Sequence, residues 1–497
     1  MQMITKDSLL KLKSGTDIRG VAVKTETEEI ELTNEVVEKI CAAFAQWVKT
    51  KYNNEDLKIA VGHDSRISAS RIKESAIKAF VSEGVTVYDC GLASTPSMFM
   101  SIVMDIKVDA SLEITASHHP YQRNGLKFFT VNGGLEGSDV KEILELAHNI
   151  ESSGKNGNVI EYNFMDVYCE HLRNTIIKEV GLGDKPLESL KIAVDAGNGV
   201  GGFYAKNVLE PLGADVSGSR FLEPDGMFPN HIPNPENEQA IKSACEMVVK
   251  SNSDFGLIFD TDVDRMGCVS KTGEEINRNR LVALASVIAL EGNEGGTVVT
   301  DSLTSDGLRA FIENHLGGKQ LRFKRGYKNV IDKSIELNNS GINSPLAIET
   351  SGHAALKENY FLDDGAYLAT KIVILLAKLN NEGKDIDDLI SSLKDPAESL
   401  EIRVPIKLDD FKEYGENVIA ELTKYAQTHE GWEVEKENYE GVRINLNGGW
   451  FLLRLSVHDP ILPLNIENDN YGVCEEIAKE LKQFLAHFDK LDLCNFD

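Results

Sequence analysis

The sequence has no surplus of positive charge, and this absence argues against two large classes of partner. Its 497 residues carry 52 Lys and Arg against 79 Asp and Glu, which gives a formal net charge of −27. Phosphate backbones and anionic lipid surfaces repel a chain of this charge, and no basic run offsets it. We therefore expect neither nucleic acid nor a membrane as a partner.

The sequence also lacks long apolar runs and close pairs of cysteines. No apolar stretch is long enough to span a membrane, and the amino terminus does not resemble a signal peptide. The seven cysteines form no CxxC pair, which argues against a disulfide framework or a zinc site. We expect a cytoplasmic protein of several domains, because the chain is roughly three to four times as long as a typical domain.

A repeated pattern of strand, helix and strand indicates the fold. Apolar segments that end in polar turns begin at Lys58, Lys191 and Thr297, and each precedes a helical pattern and a second apolar segment. We predict an α/β fold of three similar mixed α/β domains, followed by an α+β domain with an antiparallel sheet and helices, around one central cleft. The predicted domains are 1–165, 166–275, 276–398 and 399–497.

Three alternating carboxylates in the second repeat predict a metal site. Asp260, Asp262 and Asp264 directly follow an apolar segment. Hard oxygen ligands suit Mg²⁺ or Ca²⁺, and a divalent cation relieves the repulsion between the carboxylates. An EF-hand is excluded, because Arg265 and Lys271 stand where that loop needs Gly and Glu. A solvated acidic loop is the alternative.

A serine followed by two histidines lies after the first repeat. Ser117 is a candidate nucleophile, with His118 or His119 as its base. The alternative is a turn that Pro120 closes. No GxSxG motif is present, so a hydrolase of that type is not indicated.

Two further loops carry groups that can bind a phosphorylated sugar. Arg454 and Ser456 either clamp a phosphate or form a surface turn. Glu349, Ser351 and His353 either hold sugar hydroxyls or cap a helix. A phosphorylated substrate would also use some of the basic residues on other loops, namely Arg19, Arg66, Lys127, Arg325 and Lys328.

Eight segments, taken together in this order, resemble the α-D-phosphohexomutase superfamily, whose members include phosphomannomutase/phosphoglucomutase and phosphoglucosamine mutase. They span nearly the whole chain: GTDIRG at 15–20, VGHDSR at 61–66, TASHHP at 115–120, NGLK at 124–127, PDGMFPNHIPNPEN at 224–237, DTDVDR at 260–265, ETSGH at 349–353 and RLSVHDP at 454–460.

The resemblance implies a role for each matching residue. Ser117 would carry the catalytic phosphoryl group and complete a site for one Mg²⁺ per chain, whose other ligands would be Asp260, Asp262 and Asp264. The other catalytic residues implied are Arg19, Lys127 and His118. The general acid or base is expected to be Lys127 or His353. The substrate-binding residues implied are Arg265, Gly326, Lys328, Glu349, Ser351, His353, Arg454 and Ser456. His458 departs from the family pattern, but we include it among the substrate-binding residues because an imidazole can donate to phosphate.

The activity implied is the interconversion of hexose 1-phosphate and hexose 6-phosphate, of mannose or glucose, through a phosphoserine and a bisphosphorylated sugar. Glucose 1,6-bisphosphate or a similar sugar is the expected activator, and the expected assembly is a monomer or dimer. The chain departs from the usual family pattern at His119, Thr350, Val457 and His458, which leaves the preferred sugar open. The alternatives are a phosphoglucosamine mutase, a non-catalytic phosphosugar-binding protein and a phosphatase.

Overall fold

The structure is a computed structural model that describes residues 4–456 and 459–496. It divides into two compact units. Unit 1 contains the chain through Asn277 together with Ser351–Ala354 and Leu362–Ile386. Unit 2 contains Arg278–Thr350, Ala355–Phe361 and the chain from Asp387. Within the described ranges, every helix is too short or too polar to cross a lipid bilayer.

The first sheet of unit 1 mixes parallel and antiparallel strands, as predicted for an α/β domain. Its strands lie in the order Lys13–Ser14, Asp17–Val21, Arg123–Thr130, Ala110–Ile114, Lys58–His63, Thr86–Leu92 and Asn158–Glu161, and Gly133–Gly134 pairs with Arg123–Thr130. The last four strands of that order are parallel. The helices of this part are Lys6–Leu10, Asn34–Tyr52, Ala69–Ser82, Thr95–Val103, Gly137–Asn149 and Phe164–Val180.

Helical periodicity explains how the helix Asn34–Tyr52 covers this sheet. Val37, Ile40, Phe44 and Val48 recur every three or four residues, so they lie on one face, and all four are buried. The ring of Phe44 stacks on that of Phe128 of the sheet, with 4.1 Å between their centroids. The apolar face of the helix therefore packs directly on the sheet.

The second sheet of unit 1 is smaller. Its strands lie in the order Glu275–Ile276, Met266–Ser270, Phe255–Phe259 and Ile192–Asp195. Phe255–Phe259 and Ile192–Asp195 are parallel, and the other pairs are antiparallel. The remaining elements of unit 1 are the π-helical Tyr204–Leu209, the 3₁₀-helical Glu210–Leu212, the helix Glu238–Ser251, the strand Leu362–Asp363 and the helix Gly365–Glu382.

Two buried strands position the candidate residues of unit 1. Every residue of Ala110–Ile114 and of Phe255–Phe259 is buried, which is typical of strands covered on both faces. The first strand ends three residues before Ser117, and the second ends directly before Asp260. Both therefore deliver their polar loops at a carboxyl end, where α/β sheets bind ligands.

Unit 2 begins with a parallel sheet. Its parallel strands lie in the order Lys319–Arg322, Thr297–Thr300 and Leu346–Ile348. The helical segments here are Asn279–Leu290, Asp306–Ala310, the π-helical Phe311–His315, Tyr327–Asn339 and the 3₁₀-helical Lys357–Asn359. The chain passes between the units within the strand Ala354–Leu356 and the helix Ile386–Ile390.

The carboxyl-terminal part of unit 2 is an antiparallel sheet with helices, as predicted. Its strands lie in the order Glu398–Pro405, Ile461–Asn468, Gly449–Leu453, Val442–Leu446 and Glu433–Val434, and adjacent strands are antiparallel. The helical segments are Lys412–Thr428, Val473–Leu485 and the 3₁₀-helical Cys494–Phe496. Apolar side chains from the sheet and both long helices form one core, which includes Leu422, Leu453, Leu464 and Leu481.

Candidate functional site

The loop that carries Ser117 is held in a strained conformation. Ser117 is buried, and its φ of 51° lies in the left-handed region, which disfavours residues with a side chain. The Arg66 guanidinium donates hydrogen bonds to the loop carbonyls of Ser117, His119 and Pro120. The Thr115 hydroxyl accepts the Ser117 N–H at 2.9 Å. Arg66 is one of the basic residues considered for phosphate binding. Its buried guanidinium instead stabilises the Ser117 loop through these hydrogen bonds.

The hydroxyl of Ser117 contacts both an acidic and a basic side chain. Its Oγ donates to Asp260 Oδ2 at 3.1 Å. Arg265 Nη2 donates to the same Oγ at 3.1 Å. The structure thus brings together three of the predicted site residues, which come from two separate loops of unit 1.

His118 is held neutral by its surroundings. Burial and the adjacent Arg265 guanidinium lower the pKa of His118 to about 2. Its Nδ1 accepts a hydrogen bond from Arg265 Nη2 and lies 3.2 Å from Ser117 Oγ. A group with so low a pKa is a weak proton acceptor at neutral pH. The geometry therefore makes His118 a support for Arg265, and its predicted catalytic role stays a prediction.

The three predicted metal ligands form a buried cluster. Asp260, Asp262 and Asp264 each offer a carboxylate oxygen, and these oxygens lie within 4.8 Å of one another. Thr95 Oγ1 donates to Asp262 Oδ2 at 2.5 Å, and Lys127 Nζ donates to Asp264 Oδ2 at 2.7 Å. The Oδ1 atoms of Asp262 and Asp264 are buried and have no hydrogen-bond partner among the described residues. Two such oxygens, unsatisfied by protein donors, fit a hard divalent cation.

The electrostatics of the acidic loop also favour a bound divalent cation. Burial, and then the carboxylates of Asp264 and Asp262, raise the pKa of Asp260 well above its ordinary value. Burial also raises the pKa of Asp264, but the Lys127 ammonium and its cationic neighbours lower it below the usual range. The φ of Val263 is 64°, a conformation that a β-branched residue rarely adopts. A divalent cation would reduce the repulsion in this crowded loop.

His353 is positioned by an aspartate that the sequence analysis did not single out. Its Nδ1 lies 2.6 Å from Asp363 Oδ2 and 3.9 Å from Asp264 Oδ1. These three side chains also satisfy the spacing of a metal-binding group. Burial lowers the pKa of His353, but the carboxylates of Asp363 and Asp264 raise it above the ordinary value. The buried Ser351 Oγ, two residues earlier, has no hydrogen-bond partner in the part of unit 1 that the structure describes.

Arg19 and Lys127 lie on adjacent antiparallel strands. Arg19 pairs with Gly125 in the register of the two strands, so Lys127, two residues further on, lies diagonally across on the same face of the sheet. Arg19 Nη2 donates to Asp17 Oδ2 at 2.8 Å. The structure thus places both predicted basic residues on one side of the first sheet.

In unit 2, two of the predicted substrate-binding residues contact each other. The Gly326 N–H donates to Glu349 Oε1 at 2.6 Å. Gly326 has a φ of 117°, and a Cβ there would approach Asn329 Nδ2 to 2.9 Å, so the position requires glycine. Lys328 forms an ion pair of 3.1 Å with Asp332, one turn further along its helix. Lys328 and Glu349 thus come from adjoining parts of unit 2.

The unusual Thr350 has a defined structural partner. Its backbone N–H and its hydroxyl both donate to Asp301 Oδ2, at 3.0 and 2.6 Å. Asp301 follows the strand Thr297–Thr300 directly, so the contact ties two strand ends of unit 2 together. A threonine at this position therefore orders the loop that carries Glu349.

Arg454, the predicted clamp residue, is a largely buried cation. Its Nη1 lies 3.8 Å from Glu440 Oε1. The other oxygen of Glu440 accepts hydrogen bonds from Ser302 Oγ at 2.5 Å and from the Arg325 N–H at 3.1 Å. Arg454 Nε is buried and has no hydrogen-bond partner within 4–456 and 459–496. A donor in that position can bind an anion.

Of the other two predicted clamp residues, the structure describes Ser456 but not His458. The hydroxyl of Ser456 accepts the Asp459 N–H at 3.2 Å, and its predicted contact with a phosphate stays a prediction. His458 and the neighbouring Val457, two of the four unusual positions, lie outside the described residues.

Four residues of the two units were missed by sequence reasoning: Thr95, Asp301, Asp363 and Glu440. The Ser94-Thr95-Pro96 segment is a signal for a helix start, and the structure has a helix there. That signal places a helix but does not identify Asp262 as the partner of Thr95. Each of the four acts through a contact with a residue at least ten positions away in the chain.

Glu113 is a buried carboxyl group on the strand that leads to Ser117. It is fully buried, and neither of its oxygens has a hydrogen-bond partner among the described residues. Burial, and then the carboxylates of Asp64 and Asp262, raise the pKa of Glu113 well above its ordinary value. The group is therefore protonated in the folded chain over a pH range in which it ionises in the unfolded chain.

We expect Glu113→Met to increase the free energy of unfolding near pH 7 by about 1–3 kcal/mol, because it removes an unpartnered buried polar group. Above pH about 4.3 the folded wild type binds more protons than the unfolded chain, so it loses stability as the pH rises toward the folded pKa. The variant lacks this loss. Urea unfolding of the wild type and of Glu113→Met at pH 5 and pH 8 measures the difference between their free energies of unfolding. The exposed Glu26→Met is the control for charge. An advantage of the variant that does not grow with pH would contradict the argument.

Three family models match the chain one after another. The chain matches the models of phosphoglucomutase/phosphomannomutase alpha/beta/alpha domain I over residues 11–154, domain II over 166–273 and domain III over 277–396. These three matches together cover more than half of the chain.

Curated relatives and solved structures match nearly the whole chain. The phosphoglucomutase of Neisseria meningitidis serogroup A is 30% identical over 472 residues, which are 94% of this chain and 95% of the relative. The phosphomannomutase/phosphoglucomutase of Pseudomonas syringae is 29% identical over 484 residues, 95% of each chain. A phosphoglucomutase/phosphomannomutase family protein from Burkholderia thailandensis matches with a TM-score of 0.80 and 26% identity over 98% of both chains.

These matches define an α-D-phosphohexomutase, an isomerase of carbohydrate metabolism, and they confirm the resemblance found in the sequence. Within that superfamily, the chain belongs to the phosphoglucomutase/phosphomannomutase family.

Proposed function

We propose that this enzyme interconverts the 1-phosphate and 6-phosphate of glucose or mannose, with Ser117 as the carrier of the phosphoryl group. The observation that carries the proposal is the position of Ser117 Oγ, 3.1 Å from both Asp260 Oδ2 and Arg265 Nη2. The names of the relatives support the choice of sugars, since they are phosphoglucomutases and phosphomannomutases.

The acidic loop would hold one Mg²⁺. Asp260, Asp262 and Asp264 supply the carboxylates, and the Ser117 oxygen lies at the same cluster. The buried Oδ1 atoms of Asp262 and Asp264 support this assignment, because no described side chain satisfies them. When bound, the cation would neutralise negative charge on the phosphoryl group during its transfer.

The chain's own cations would orient the phosphoryl group. Arg265 already donates to Ser117 Oγ, so its planar fork can donate to the oxygens of a phosphoryl group carried there. Lys127 is buried and forms an ion pair of 2.7 Å with Asp264. Phosphoryl transfer depends mainly on such positioning and charge stabilisation.

Turnover takes two transfers. In the first, the bond between phosphorus and Ser117 Oγ breaks, and a bond forms between phosphorus and the oxygen of the free sugar hydroxyl. A base takes the proton of that hydroxyl, and Oγ receives a proton in exchange. In the second, the other phosphate of the bisphosphorylated sugar moves to Oγ, and the sugar oxygen that it leaves takes the proton. Lys127 and His353 are the candidates for this base. A sugar bisphosphate would act as an activator, because it can load an unphosphorylated serine.

Unit 2 holds its own candidate substrate-binding residues. Glu349 and Gly326 form one hydrogen-bonded pair there, and the buried Nε of Arg454 has no hydrogen-bond partner within the described residues. We assign the binding of sugar hydroxyls in unit 2 to Glu349, and the binding of the non-reacting phosphate to Arg454 and Ser456. In unit 1, Ser351 and His353 stay the predicted sugar-binding residues. Lys328 and His458 complete this proposed set.

The test compares three substrates. The purified protein, Mg²⁺ and a trace of glucose 1,6-bisphosphate are incubated with glucose 1-phosphate, mannose 1-phosphate or glucosamine 1-phosphate, and ³¹P NMR follows the isomers and free phosphate. We expect the 6-phosphate of glucose or mannose and no accumulation of free phosphate. Turnover of glucosamine 1-phosphate alone would instead identify a phosphoglucosamine mutase. Free phosphate without an isomer would identify a phosphatase, and binding without turnover would identify a binding protein.

A further inference from the structure

Thr95 contacts the acidic loop from the start of the helix Thr95–Val103. Its side chain is buried. The first N–H groups of a helix have no partner inside the helix, and the Thr95 N–H donates to the carbonyl oxygen of Asp262 at 3.0 Å. The Thr95 hydroxyl donates to Oδ2 of the same residue at 2.5 Å. Both polar donors of Thr95 are therefore used on one aspartate, which lies 167 positions further along the chain.

These contacts decide which oxygen of Asp262 is left for a ligand. Oδ2 is occupied by the Thr95 hydroxyl, whereas Oδ1 is buried and has no hydrogen-bond partner in the described part of the chain. Asp264 shows a similar division, because Lys127 donates to its Oδ2, whereas its Oδ1 has no hydrogen-bond partner among the described residues and lies 3.9 Å from both Arg265 Nε and His353 Nδ1. At each of the two aspartates, a protein donor holds one oxygen and leaves the other available.

The start of the helix gives Thr95 little freedom to move. Ser94 and Ser97 form a reciprocal capping box around it, with Ser94 Oγ accepting the Ser97 N–H and Ser97 Oγ accepting the Ser94 N–H. Pro96 follows in the first turn, where its fixed φ suits a helix. All four residues are buried. The Thr95 hydroxyl is thus presented from a rigid element.

We propose that Thr95 is a positioning residue for the metal ligand Asp262: its hydroxyl holds the carboxylate so that Oδ1 faces the divalent cation. The inference rests on the proposed metal site of this enzyme. Hydrogen-bond donors to a ligating group set its orientation, and their loss typically lowers metal affinity about 10- to 100-fold. A threonine remote in sequence from the acidic loop therefore tunes the metal affinity.

The test measures metal binding rather than turnover. Titration of the purified full-length protein with Mn²⁺, without substrate, gives the dissociation constant by calorimetry or by the electron paramagnetic resonance of free Mn²⁺. We expect Thr95→Val, which keeps the shape but removes the hydroxyl, to weaken binding about 10-fold or more. Thr95→Ser keeps the hydroxyl and should bind Mn²⁺ like the wild type.

A control hydroxyl lies outside the acidic loop, on the strand Ala110–Ile114. Ser111 is buried, and its Oγ has no hydrogen-bond partner among the described residues. Ser111→Ala should therefore leave the Mn²⁺ affinity unchanged. If Thr95→Val does not fold, Thr95→Ala removes the same hydroxyl and serves the same comparison.

The outcomes separate the two proposals. If the wild type binds no Mn²⁺, the metal site of the proposed function is overturned. If the wild type binds Mn²⁺ and a folded Thr95→Val or Thr95→Ala binds it equally well, the positioning role of Thr95 is overturned. Weakened binding in Thr95→Ser to the same extent would also overturn it, because the hydroxyl would then not be the relevant group.

Discussion

Replacing Ser117 by alanine should lower the turnover of hexose phosphates by at least about 10³-fold, because the residue loses the oxygen that carries the phosphoryl group. The fold should persist, since Ser117 and alanine meet the same backbone strain at a φ of 51°. The coupled assay with glucose 1-phosphate measures turnover. Mass spectrometry after incubation with glucose 1,6-bisphosphate should find one added phosphoryl group in the wild type and none in Ser117→Ala.

The matched control for this prediction is Ser65→Ala. Ser65 also lies in a loop after a strand of the first sheet, and its Oγ is buried without a described hydrogen-bond partner. This variant should keep its turnover and its phosphoryl group. Retention of more than a tenth of the wild-type turnover in Ser117→Ala would rule out a phosphoserine at this position.

Arg265→Met should have the second large effect, a loss of about 3–5 kcal/mol in the free energy of unfolding. Arg265 is buried, its Nε donates to Asp260 Oδ2 at 3.2 Å, and its Nη1 lies 3.7 Å from Glu236. Removal of the guanidinium leaves the buried Asp260 without this counter-ion. It also raises the pKa of Asp260 further, because the Arg265 charge now opposes that rise.

The free energy of unfolding of Arg265→Met should also depend on pH. The unfolded chain ionises Asp260 near its ordinary pKa, while the variant keeps it protonated to higher pH, so the variant should lose stability as the pH rises. Urea unfolding at pH 5, 6.5 and 8 measures this. Arg265→Lys keeps the charge but not the planar fork, so it should recover most of the stability and little of the turnover. A loss below about 1 kcal/mol in Arg265→Met, which is the size expected for an exposed ion pair, would contradict this prediction.

The candidate residues that lie close together in the sequence could be predicted from it. The alternation of Asp260, Asp262 and Asp264 after a fully apolar segment indicated a metal loop, and the structure clusters these three side chains. The α/β repeat and the final antiparallel sheet were also predicted, and both are confirmed. Local spacing is sufficient in these cases, because the geometry of a strand and its following loop is set by neighbouring residues.

Contacts between distant segments could not be predicted in the same way. Arg66 was considered for phosphate binding, but its guanidinium is occupied by the carbonyls of the Ser117 loop. Asp363 holds His353 although ten residues and a strand separate them in the chain. No spacing rule identifies such a partner, because pairing depends on where the strand ends meet.

The sequence by itself determined the class of fold, the acidic balance and the identity of the chemical groups, since these depend on composition, periodicity and short motifs. Only the tertiary structure decided which oxygen of each carboxylate remains available. Thr95 holds one oxygen of Asp262, and Lys127 holds one of Asp264. The physical reason is that a carboxylate has two equivalent oxygens, and only donors brought in by folding make them different.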